Sequence, residues 1–214
     1  MTNNPYISIV WEDSHILSDT EKIYSNIWNW NKFFWNDNEI FLEIWTWLWN
    51  FFSIESSLHR DKNFIWMEIR YKRLFKTAEK TRNLWVENFV VLKDFGQNID
   101  KIFWNGEVSK TYIFFPDPWD KKDRQKKHKL LQVDFIKNLY KITKVWWKVC
   151  FKTDHLWYFE EVLEIVKSLN LFKIDFLSYD YERESETFHK QKLTEFESMF
   201  RGENLKINYV EFIK

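Results

Sequence analysis

Four carboxylates carry the first chemical signal in this chain. Glu43, Glu68 and Asp94 each stand at or just past the end of a short apolar run, within FLEI, FIWMEI and FVVLKD. Acids at such places accept hydrogen bonds from ribose hydroxyls, and Asp94 could reach the base of the same nucleoside-bearing ligand. Any one of them alone would pass for a solvated loop residue, since loop carboxylates are mostly exposed; three at successive strand ends form a constellation. The fourth, Asp117, lies within FFPDPWDKKDRQKKHK. Pro116 and Pro118, two of the three prolines in the chain, stiffen the backbone on both sides of it. Residues 120–129 then carry six Lys or Arg against two Asp, a net of four positive charges in a chain whose 32 basic and 32 acidic residues balance. Such a run is commonly a solvated loop, but beside a ligand site it is a candidate contact for a polyanion such as RNA.

The elements that must position these groups alternate. Apolar runs predict strands at about 39–44, 63–68, 88–92, 110–115, 147–153, 171–178 and 205–213, and helical periodicity predicts helices at about 16–29, 50–60, 70–84, 129–143 and 155–169. Leu156, Phe159, Val162, Leu163, Val166 and Leu169 draw the clearest apolar stripe. Strand–helix alternation implies an α/β fold: a mostly parallel seven-stranded sheet with helices on both faces and ligands at the carboxyl ends of its strands. A length of 214 residues suits one domain. Within it, residues 1–37 are expected to form an N-terminal helical extension and 38–214 the core. The polar stretch 181–200 reads as a loop or insertion before the last strand.

Composition is abnormal in one respect. The chain has 3 Gly and 14 Trp, where average usage gives about 7% glycine, roughly 15 residues. Trp45, Trp47 and Trp49 fill the turn between a strand and a helix, Trp85 follows a helical run, Trp104 adjoins Asn105-Gly106, and Trp146-Trp147 join a helix to a strand. Glycine is the usual residue in such turns, and a bulky aromatic offers no tolerance of positive φ. The pattern reads as a gene in which UGA encodes glycine, translated with a code that reads UGA as tryptophan. With glycine at those places, EIWTWLWNF becomes a glycine-rich turn between strand and helix, which lets a nucleoside ligand approach the backbone closely.

On these motifs the chain resembles the bacterial tRNA (guanine-46-N7)-methyltransferase family, from about Trp30 to the C-terminus. FPDPW, Phe115 to Trp119, followed by Lys121, is the most distinctive match; EIWTWLWNF and FIWMEI match if their tryptophans are glycines; KTD ending at Asp154 and TEFE, Thr194 to Glu197, match two substrate-side motifs. In this pattern Trp119 and Trp30 are authentic tryptophans. The resemblance implies a Rossmann-like class I methyltransferase fold, S-adenosylmethionine as cofactor and tRNA as partner. By position it implies cofactor contacts at Glu43, Trp45, Trp47, Glu68, Asp94 and Asp117, with Asp117 also catalytic. It further implies substrate contacts at Lys121, Asp154, Thr194 and Glu197, and an RNA-touching loop that includes Arg124, Lys126, Lys127 and His128. The family's basic run is richer in arginine than this lysine-dominated one, which favours general phosphate attraction over forked contacts.

Other classes are disfavoured. The lone Cys150 excludes an internal disulfide framework and reads as core, and the five histidines form no ligand-spaced set, so no metal is expected. No membrane is expected, nor a leader, because no run of 18 uncharged apolar residues or basic-then-apolar N-terminus occurs. A cytoplasmic monomer or homodimer is the expectation. Two rivals stay open: a non-catalytic RNA-binding module, if the tryptophans at 45, 47 and 49 are authentic, and a methyltransferase acting on another RNA or on a small guanine compound.

Overall fold

A computed structural model describes residues 4–44, 50–119, 127–181 and 206–214. The predicted alternation is there, and it builds one sheet. The strands are β1 (Ile16–Leu17), β2 (Ile40–Ile44), β3 (Asn63–Met67), β4 (Phe89–Leu92), β5 (Val108–Phe114), β6 (Thr143–Thr153), β7 (Lys173–Ser178) and β8 (Asn208–Ile213). The helices are α1 (Tyr6–Glu12), α2 (Thr20–Ser25), α3 (Trp30–Phe34), α4 (Asn50–Leu58), α5 (Tyr71–Asn83), α6 (Ile99–Ile102), α7 (Val133–Ile142) and α8 (Leu156–Leu169).

Strand order is β1-β4-β3-β2-β5-β6-β8-β7. Every pairing from β1 to β6 is parallel, while β8 runs antiparallel to both β6 and β7. Eight strands therefore stand among the described residues, not the seven expected. The extra one, β1, has two residues, too few for an apolar period to register, and it pairs on the outer edge of β4. It also replaces the start of the helix expected at 16–29. Asp19 caps the shorter α2 instead, its Oδ1 accepting from the Glu21 and Lys22 amides at 2.9 and 3.3 Å.

Side chains alternate between two cores, as the period of a strand requires. Leu42, Ile44, Ile65, Val90, Ile113, Val149 and Phe151 pack with Phe135, Ile136 and Leu139 of α7 and Val162 and Leu163 of α8. Phe41, Phe64, Trp66, Tyr112, Phe114 and Cys150 point the other way, onto Phe51 and Phe52 of α4 and Leu74 and Ala78 of α5. The first face is largely aliphatic and the second largely aromatic. Trp30 is fully buried and donates its indole N–H to the Ile102 carbonyl at 3.0 Å, a satisfied core tryptophan.

Among the described residues, seven other than glycine adopt left-handed backbone: Trp28, Trp35, Trp85, Phe115, Trp119, Trp146 and Asn170. Five of the seven are tryptophan, although that conformation costs a side chain with a Cβ about 1–2 kcal/mol. The left-handed residue expected after α5 is indeed Trp85.

The C-terminal strand is fastened by charge. Lys148 Nζ lies 2.6 Å from Glu211 Oε2 and 2.5 Å from Asp175 Oδ2, and the Tyr209 hydroxyl donates to Glu211 Oε1 at 2.6 Å. Burial alone would raise the pKa of Glu211, but the hydrogen bonds from Lys148 and Tyr209 outweigh it and hold the carboxyl below its usual range. A depressed carboxylate stabilises the fold above its unfolded pKa, and that contribution is lost as pH falls through the folded value. Glu211→Gln is therefore expected to cost about 1–2 kcal/mol in urea unfolding at pH 7, with the deficit shrinking below about pH 4. An equal deficit at pH 7 and pH 3.5 would contradict the assignment.

Candidate active site

The chain leaves β2 toward β3 and β4 on one side, and β5 leads to β6 on the other, so the strand order reverses between β2 and β5. A crevice outside the carboxyl ends of parallel strands at such a reversal is where α/β sheets bind ligands. The four acids singled out in the sequence meet this geometry. Asp94, Glu68 and Glu43 sit at the carboxyl ends of β4, β3 and β2, and Asp117 follows β5, so they occur on four adjacent strands in spatial order.

Glu43 is buried and faces the aromatic core side, since it pairs in register with Trp66 on one neighbour and Tyr112 on the other. Tyr112 donates its hydroxyl to Glu55 of α4 at 2.7 Å. Burial first, then the charge of Glu55 and, further down, of Glu43, keep that phenol protonated far above its ordinary range. Glu68, also buried, turns its Oε1 onto the amides of Ile69 and Arg70 at 2.8 and 2.9 Å, and Arg73 reaches Oε2 at 3.3 Å. These contacts fix the carboxylate at the start of α5. Asp94 Oδ1 accepts from the Phe95 amide and the Asn98 side chain, both at 2.7 Å. Burial and then the Asp94 carboxylate raise the pKa of Tyr24 on α2.

Asp117 stands between two left-handed residues, Phe115 (φ 50°) and Trp119 (φ 47°). The Phe115 amide bonds the Lys152 carbonyl at 2.8 Å, extending the β5–β6 pairing one step past β5. That step brings the root of the Asp117 loop beside the end of β6, where Asp154 follows Thr153. Asp154 is half-buried, with Oδ2 3.6 Å from His155 Nε2.

The basic run is described only at its end. Lys127 and His128 are accounted for, His128 with its ring 5.5 Å from that of Trp119. Lys129, buried, pairs with Glu161 of α8 at 2.5 Å under the rings of Trp157 and Tyr158. It is thus structural, although it closes a run read as one polyanion contact. Trp45, Trp47, Lys121, Arg124, Lys126, Thr194 and Glu197 lie outside the described residues.

Sequence reasoning met Lys152 only as the first residue of the KTD motif and missed where it sits. Its ammonium is buried among the rings of Phe114, Tyr181 and Tyr209, at 4.7, 4.6 and 5.4 Å. The available signal was a lysine directly after the apolar VCF of a strand. Among the described residues no group of three or more His, Cys, Asp or Glu side chains could hold a metal, and no helix is long and apolar enough to cross a membrane.

Comparison with known proteins gives this arrangement its class. A solved antibiotic-related methyltransferase superposes with a TM-score of 0.57 at 12% identity, covering 91% of each chain. At that identity the likeness speaks for the fold, a Rossmann-like class I methyltransferase fold. By sequence, the chain is 34% identical over 201 residues to a bifunctional glycosyltransferase/methyltransferase of Fusobacterium nucleatum, covering 94% of this chain but 31% of that relative's length. It is 28% identical over 200 residues to a tRNA (guanine-N(7)-)-methyltransferase of Bacillus licheniformis, covering 94% of this chain and 91% of that one. The methyl donor of this fold class is S-adenosylmethionine, a ligand rich in N–H and O–H donors. A row of carboxylates on adjacent strand ends, two of them already oriented by backbone amides, supplies the acceptors such a ligand requires. A methyltransferase family model spans residues 37–209, four-fifths of the molecule and all four acids, and this chain belongs to that family.

Proposed function

We propose that this chain methylates N7 of guanine 46 in the variable loop of tRNA, in the cytoplasm. The observation that carries the reading is the extended β5–β6 pairing, which sets Asp117 and Asp154 at the ends of neighbouring strands beside the crevice of the acids. Relatives named tRNA (guanine-N(7)-)-methyltransferase, aligned over most of their length, support the substrate class.

Glu43, Glu68 and Asp94, with residues 45 and 47, would hold S-adenosylmethionine, which would supply an electrophilic methyl group on a sulfonium. Guanine N7 has a lone pair and no proton, so the protein needs no general base. Positioning is the main task left to the chain. Asp117 orients the guanine edge and offsets the positive charge that develops on the base, a preorganised electrostatic contribution. Asp154 and Glu197 accept from N1–H and the exocyclic amine, which selects guanine because adenine would leave those acceptors unpaired. The basic run attracts the phosphates flanking the target, and local opening of the variable loop lets the base reach the crevice.

Asp117→Ala is expected to lower kcat for methyl transfer by about 10²–10³-fold, while tRNA affinity stays within roughly threefold. Lost tRNA binding with unchanged turnover would contradict the role. A double change, Lys126→Ala with Lys127→Ala, should flatten the log–log salt dependence of tRNA binding by about one to two units and leave kcat at saturating tRNA intact. An unchanged slope would remove the basic run from the interface. Should the chain bind tRNA but never the donor, the non-catalytic RNA-binding reading takes over.

A further inference from the structure

Four tryptophans combine left-handed backbone with an exposed indole. Trp28, Trp35, Trp85 and Trp146 have φ of 69°, 56°, 57° and 68° and exposures of 60%, 93%, 84% and 79%. The other left-handed residues are different in kind. Phe115 buries its ring, Trp119 sets its ring against His128, and Asn170 is a residue type that adopts this conformation readily. Trp30 and Trp66, which are fully buried, are not left-handed.

The sites themselves are places that glycine occupies. Trp35 closes α3 and Trp85 follows α5, their amides bonding back to the Lys32 and Arg82 carbonyls at 3.3 and 2.8 Å. Trp146 falls where the β5–β6 register jumps from Val108–Thr143 to Lys110–Lys148, a bulge with a left-handed residue in it. Trp28 stacks on Trp104, another member of the excess. The backbone pays for a Cβ at each site and the side chain returns little burial.

We infer that residues 28, 35, 85 and 146 are glycine in the natural protein, each encoded by UGA that the cell decodes as glycine. The inference rests on backbone conformation and exposure, and stands apart from the reaction proposed above. Tandem mass spectrometry of peptides from the naturally produced protein should show glycine at all four positions, with TGA in the gene. Indoles there, or TGG codons, would overturn it. Thermal unfolding gives a second readout: a chain carrying Trp28→Gly, Trp35→Gly, Trp85→Gly and Trp146→Gly should melt about 10 °C higher than the chain with tryptophan. An unchanged or lower midpoint would count against it.

A different observation carries a second inference, which rests on the tRNA reading. Lys152 pairs in register with Phe114 on one side and Tyr209 on the other, and Tyr181 completes the ring cage around its ammonium. The Tyr181 amide bonds the Ile207 carbonyl at 3.0 Å, so the two ends of the stretch that includes Thr194 to Glu197 meet at this cage. Asp117 follows Phe114 by three residues and Asp154 follows Lys152 by two. The structure assigns Lys152 as a positioning residue that holds the starts of the Asp117 and Asp154 segments, and Tyr181 beside them, through one cation and three aromatic faces.

Lys152→Met removes the charge and keeps the stem, and Lys152→Arg keeps a cation that stacks on rings. Methyl transfer should fall about tenfold or more in kcat/KM for tRNA with Met and recover to within about threefold with Arg, while donor affinity stays the same in both. Hydrogen exchange at the Tyr181 amide should quicken by about tenfold with Met and return with Arg. Parent-like exchange and transfer in the Met variant would overturn the assignment. A parent chain that never methylates tRNA would instead count against the substrate reading, and the exchange measurement would still decide the cage.

Discussion

The candidate site depends on parallel registration across β4, β3, β2, β5 and β6. Because those strands point the same way and connect in opposite directions from the β2/β5 boundary, their carboxyl ends must open into one crevice. Each strand then delivers one carboxylate to the same edge: Asp94, Glu68, Glu43 and Asp117, with Asp154 next in line. No loop has to fold over a distance to assemble the set. The extension of the β5–β6 ladder to Phe115 and Lys152 is the most local part of this constraint, since it fixes where the FPDP turn begins.

The two faces of the sheet divide the remaining labour. The aliphatic face with α7 and α8 is a conventional core. The aromatic face buries charge and polarity, with Glu43, Glu55, Tyr112 and Lys152 all lying among rings. Ring faces tolerate a cation and ring edges a carboxylate better than aliphatic carbon does, which suits a face that must position ionic groups near a site. Burial keeps Tyr112 protonated, so its hydroxyl stays available as a donor to Glu55.

Much of this was legible beforehand, for identifiable reasons. Runs such as FLEI and FVVL are apolar and short, and α8 shows a full stripe, so their type was plain from period alone. The acids stood out because each interrupts or ends such a run. Ile16–Leu17 was too short to carry a period, and α1 and α3 are brief helices whose amphipathic pattern is weak, so only a helix at about 16–29 was read there. The Lys152 cage is made by side chains from β5, β6, β8 and Tyr181, and no spacing within the chain encodes a contact that only sheet pairing creates.

The central claim is that this crevice presents guanine N7, and no other nucleophile, to the methyl donor. It is tested most directly by mapping the methylated nucleotide after incubating the natural protein with labelled S-adenosylmethionine and tRNA transcripts that differ only at position 46. Label confined to a guanine at that position, released by cleavage specific for N7-methylguanine and absent from the adenine transcript, is the predicted result. Equal labelling of both transcripts, or a methyl group on any other atom, would contradict it.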